Sequence, residues 1–129
     1  MGQQQLLLVL LGVVVVGIAI AIGISMFVDN AVSANRDALT SDLAALASRA
    51  QTYYRRPRVQ GGGQNSFTGL TIEHLTSKAA NANGTYVVTS VDPAQVVLDA
   101  TGKETGSDGN SLSVTMTVFP DSTFVVANN

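Results

Sequence analysis

The chain has no cysteine, which removes disulfide staples, thiolate metal ligands and a cysteine nucleophile together. It has one histidine, His74, which stands beside Glu73 with no second histidine or cysteine to complete a metal site. It reads as a surface or loop residue. Charge is scarce: 12% of the 129 residues are charged, the formal net charge is −2 and the sequence pI is near 5.0. A broad basic surface is therefore missing, and with it the electrostatic footprint of nucleic-acid binding. No carboxylate pair and no nucleophile with its base stands out, so the chain does not read as an enzyme and calls for no cofactor or metal.

What it has in quantity is apolar surface, 46% of the residues, concentrated in one stretch. Residues 6–28 read LLLVLLGVVVVGIAIAIGISMFV, with no charge and with Ser25 as the only polar side chain. As an α-helix this tract is about 34 Å long, enough to cross a hydrocarbon core of about 30 Å. A cleavable secretory signal has a basic n-region and an apolar core of roughly 7–15 residues, and neither feature is found here. A plain membrane anchor fits better, although the flanking cations, first Arg36 and then Arg49, Arg55, Arg56 and Arg58, lie mostly too far away to fix its orientation. Gly12, Gly17 and Gly23 lack the G-x-x-x-G spacing of a dimer motif. Together with the β-branched Val13 to Val16, they mark where the helix is expected to loosen on leaving lipid.

Helical periodicity continues past the tract. Val32, Leu39, Leu43, Leu46, Ala50 and Tyr53 recur at three-, four- or seven-residue steps and form one stripe that needs a partner. Arg36, Asp37, Asp42, Ser48 and Arg49 fall largely off it, and Pro57 supplies a stop, so one helix is expected from about Gln3 to Arg55. Tyr53 and Tyr54 close the stripe, while the nearby arginines suit a helix C-terminus.

Residues 59–66, VQGGGQNS, lack the lysine and spacing of a phosphate-binding loop and read as a flexible turn. Beyond it, Phe67, Leu70, Ile72 and Leu75 could pin a short helical turn or irregular loop to the head. Four segments, TYVVTSV, AQVVLDAT, SLSVTMTVF and STFVVAN, are rich in β-branched and aromatic residues and separated by turn signals. In the third, Leu112, Val114, Met116 and Val118 alternate with Ser and Thr, giving one buried and one wet face. The connection ending in Asp108-Gly109-Asn110 lacks the acidic spacing of a calcium loop, and Asn83-Gly84-Thr85 matches a glycosylation acceptor pattern that is common by chance.

The expected fold class is α+β: a long N-terminal helix, half apolar and half amphipathic, packed on a small antiparallel β-meander head. The expected segments are 1–28 (apolar transmembrane or filament-core helix), 29–56 (amphipathic continuation), 57–83 (glycine-rich connection) and 84–129 (antiparallel sheet). Leu39, Leu43, Leu46 and Tyr53 are the expected helix-to-head contacts.

This arrangement resembles the type IV pilin family: the short polar start MGQQQ, the uncharged tract, the continuation SANRDALTSDLAALASRAQTYY, the glycine-rich loop and the terminal meander. The resemblance implies a prepilin peptidase that releases Met1 as the mature first residue. Subunits then wait in the inner membrane, and an assembly machinery stacks them into an extracellular helical homopolymer. It implies filament-core packing through Leu6, Leu10, Val13, Val14, Ile18, Ile22 and Phe27, and an N-terminal assembly contact at Met1 and Gln5. Family members usually carry glutamate at the fifth position; Gln5 can accept a hydrogen bond from an amine there, with less energy than a carboxylate supplies. The alternatives are a minor pseudopilin, or a single-pass membrane-anchored binding or sensor domain that never polymerises.

Overall fold

The computed structural model describes residues 2–129. Helix α1 spans Gly2–Arg55 and is followed by a single 3-10 turn, Arg58–Gln60, and a short helix α2, Ile72–Leu75. Strands β1 (Gly84–Asp92), β2 (Gln95–Thr105), β3 (Ser111–Val118) and β4 (Thr123–Ala127) complete the chain. They form one antiparallel sheet in the order β1-β2-β3-β4, so the chain is an α+β protein with a sequential meander. The chain divides into two compact units, one ending at Ala31 and the other running Val32–Asn129.

In the second unit the amphipathic part of α1 lies on the sheet. Leu39, Leu43, Leu46, Ala47, Ala50 and Tyr53 are buried in one cluster with Val96, Leu98, Ala100, Leu112, Val114, Met116 and Val118. Burial on β3 alternates strictly, every second side chain pointing to the helix. The helix can sit close because Gly84 and Gly102 face each other across β1 and β2. A Cβ on Gly102 would stand 2.3 Å from Asn35 Oδ1, and one on Gly84 would stand 2.0 Å from the Thr101 carbonyl. Asn35 uses that closeness: its Oδ1 accepts the main-chain N–H groups of Lys103 (3.1 Å) and Glu104 (3.2 Å).

The glycine-rich segment differs from the flexible turn expected of it. It folds back on the end of α1, where Gly63 N–H donates to Tyr53 O (2.8 Å), Gln64 N–H to Arg56 O (2.9 Å) and Asn65 N–H to Tyr54 O (2.6 Å). Those carbonyls have no partner within the helix, and the loop supplies the missing donors. Gln64 and Asn65 adopt positive φ to do so. The following segment contributes Phe67, Leu70 and Leu75 to the core, so residues 57–83 fold as part of the same unit as the sheet.

Candidate functional site

The described residues of the unit ending at Ala31 are all helical. Between residues 6 and 28 every large apolar side chain is 50–75% exposed. The expected core-packing residues are all in this state: Leu6, Leu10, Val13, Val14, Ile18, Ile22 and Phe27 are exposed on the helix. Gln5 lies in the first turn of α1, which holds no acidic residue, and its side chain is exposed. Met1 lies outside the described residues. The stretch containing Gly12 and Gly17 is helical throughout, and nothing lies within 4 Å of where a Cβ on either glycine would stand. The segment is long and apolar enough to cross a membrane. Contiguous apolar surface of this extent in water is far beyond what a monomeric soluble protein exposes, so it requires lipid or a protein partner.

In the other unit, Leu39 and Leu43 are fully buried, and Leu46 and Tyr53 nearly so. Tyr53 also donates its hydroxyl to Thr68 O at 3.1 Å. Its ring lies 5.2 Å from that of His74, and the Tyr54 ring lies 4.8 Å from that of Phe67. Two of the arginines near them donate to main-chain carbonyls: Arg49 to Leu75 O (2.6 Å) and Arg55 to Pro120 O (3.2 Å). His74 Nδ1 accepts the Thr71 N–H at 3.1 Å, a bond that closes the first turn of α2.

Asp42, off the apolar stripe of α1, is a hydrogen-bonding centre that its place in the sequence does not signal. Its Oδ2 accepts hydrogen bonds from Asn81 Nδ2 (3.0 Å), Asn83 Nδ2 (2.9 Å) and the Tyr86 hydroxyl. Burial opposes its charge, but the bonds from Asn83, Tyr86 and Asn81 outweigh that penalty and hold the carboxyl below its ordinary value. Burial, and then the bond to Asp42, push the Tyr86 phenol upward. Asn83, first residue of the glycosylation-like tripeptide, is half-buried with its amide on Asp42 and its carbonyl bonded by Asn35 at 2.9 Å. The cluster ties helix, loop and first strand together. All three bonds fall on the one oxygen, Oδ2.

Among the described residues no group of three His, Cys, Asp or Glu is placed to hold a metal ion. Compared with protein-family models, with curated proteins and with solved structures, the chain matches none. The feature that demands a function is therefore the unpartnered apolar helix.

Proposed function

We propose that this chain is a structural subunit of an extracellular filament of the type IV pilus kind, polymerising through its N-terminal apolar helix. The observation that carries the reading is the separation of roles along α1. Residues 6–28 leave all their apolar side chains exposed, while every buried residue of the head lies between Leu39 and Val118. The head thus completes its own core without the tract, and the tract is free to take a partner. Before assembly that partner is the acyl interior of the inner membrane. Afterwards it is the same tract in neighbouring copies, bundled in the fibre core with the heads outside. Apolar burial stabilises at about 25 cal/mol per Å², so a bundle of such helices holds together without any ion pair.

Contacts of this kind join different surfaces of successive copies and produce an open helical array. A charge within the tract tests the reading. Val15→Asp places an unpaired carboxylate where both lipid and neighbouring helices are apolar, and is expected to abolish fibres. Normal fibres from that variant would contradict the proposal.

A further inference from the structure

Of the 7 Lys and Arg residues, Arg49, Arg55, Arg56 and Arg58 fall together at the end of α1, and no Asp or Glu occurs between Asp42 and Glu73. In a chain of net charge −2, positive charge is thus gathered at one place. Two open cavities lie there and share Thr52 and Arg56 in their walls. One, of about 260 Å³, is also lined by Arg49, Tyr53, Gly61 and His74. The other, of about 420 Å³, adds Arg55 and the neutral polar side chains of Ser48, Gln51 and Gln60. No carboxylate and no aliphatic side chain lines either cavity.

The fold sets the donors. Arg49 gives one N–H to Leu75 O and keeps the remaining donors of its guanidinium fork. Because the Thr71 N–H donates to His74 Nδ1, the neutral imidazole carries its proton on Nε2, where it is a donor. The Tyr53 ring, 5.2 Å from that imidazole, packs beside it. A helix C-terminus ordinarily repels an anion. Here the carbonyls of Tyr53, Tyr54 and Arg56 already accept the N–H groups of Gly63, Asn65 and Gln64, which offsets that repulsion. Glu73, next to His74 in sequence, lines the groove between α2 and β1 instead.

We propose that the cavity lined by Arg49, Arg56 and His74 binds the phosphate group of a small phosphorylated sugar, whose hydroxyls lie along Ser48, Gln51 and Gln60 in the adjoining cavity. Two guanidinium groups and an imidazole N–H supply charge-assisted bonds to the phosphate oxygens. Gln51, whose Nε2 is bonded to Phe119 O, offers its Oε1 to a sugar hydroxyl. An acyl chain or an apolar peptide finds no aliphatic wall here. The site belongs to the head, and it takes its ligand whether or not the chain polymerises.

His74 is the only histidine, so isotope-labelled histidine gives one assigned imidazole signal in the full-length chain held in detergent micelles. Glucose 6-phosphate, inorganic phosphate and glucose are titrated in turn at constant pH and ionic strength. A saturable shift of the His74 signal with glucose 6-phosphate, weaker binding of inorganic phosphate and no response to glucose are the expected results. The parent chain alone can overturn the proposal, by showing no saturable shift with glucose 6-phosphate or the same shift with glucose. Inorganic phosphate binding as tightly as glucose 6-phosphate overturns the assignment of a sugar. A short single-stranded oligonucleotide binding more tightly than glucose 6-phosphate overturns it in favour of nucleic acid. Arg56→Gln, at an exposed position, is expected to weaken the affinity about tenfold or more, as loss of a charge-assisted contact does. Lys103→Gln, exposed on β2 and lining neither cavity, should leave the affinity unchanged. Parent-like binding by Arg56→Gln, or equal weakening by Lys103→Gln, overturns the site.

Discussion

The hydroxyl of Tyr86, on the first strand, donates to the carboxylate of Asp42 on the long helix, where Asn81 and Asn83 converge on the same oxygen. One side chain of α1 thus anchors both the strand and the loop that leads into it. Asp42→Ala removes the acceptor from three donors at a half-buried position and is expected to cost about 1–3 kcal/mol of head stability. Chemical denaturation followed by tyrosine near-ultraviolet dichroism measures it, and a change within experimental scatter would contradict the structural role.

The same carboxylate gives the head an acid-sensitive component. Its pKa is depressed in the folded state, so its contribution is fully present above the ordinary Asp value of about 3.9 and is lost as pH falls through the lower folded value. In unfolding curves taken from about pH 6 down to about pH 2, the Asp42→Asn chain should start less stable than the parent and lose less on acidification. Parallel curves would show that Asp42 is not coupled to folding.

Core burial and a single hydrogen bond should separate clearly by magnitude. Leu43 is fully buried, and Leu43→Ala is expected to cost about 2–5 kcal/mol. Tyr53→Phe loses only the bond to Thr68 O, about 0.5–1.5 kcal/mol. Denaturation midpoints of the two variants, compared at unchanged m-value, should preserve that order.

Gly102 lies under the helix. A methyl there meets Asn35 Oδ1 at 2.3 Å and the Leu39 and Leu112 side chains at 3.0 Å, so Gly102→Ala is expected to destabilise by about 1–3 kcal/mol. Part of that cost should vanish in an Asn35→Ala background, and a double-mutant cycle reads the coupling. Additive costs would mean that Asn35 is not the neighbour that the methyl displaces.

The parts of this fold legible in the sequence are those written as a local period. The stripe of Leu39, Leu43, Leu46, Ala50 and Tyr53 and the alternation of Leu112, Val114, Met116 and Val118 each declare a buried face, and both faces are buried. Asp42 was not legible, because its partners are 39–44 residues away and a carboxylate off the apolar stripe looks like ordinary solvated surface. The capping role of residues 63–65 was hidden for a related reason: glycine spacing reports conformational freedom but not which carbonyls a loop will meet. β4 reads like its neighbours in composition yet is exposed along its whole length, since its edge position comes from topology. For the candidate site, the exposed apolar tract is a property of composition and could be read directly. The basic cavity at the end of α1 exists only once α2 brings His74 beside it.

In the proposed filament, residues 6–28 exchange lipid for copies of themselves. Electron microscopy of sheared cell-surface material, with immunogold labelling of the head, tests it most directly. Labelled fibres in the sheared fraction are the expected result. The chain found wholly in membranes, with no labelled fibre, would contradict the filament role and identify the tract as a permanent anchor.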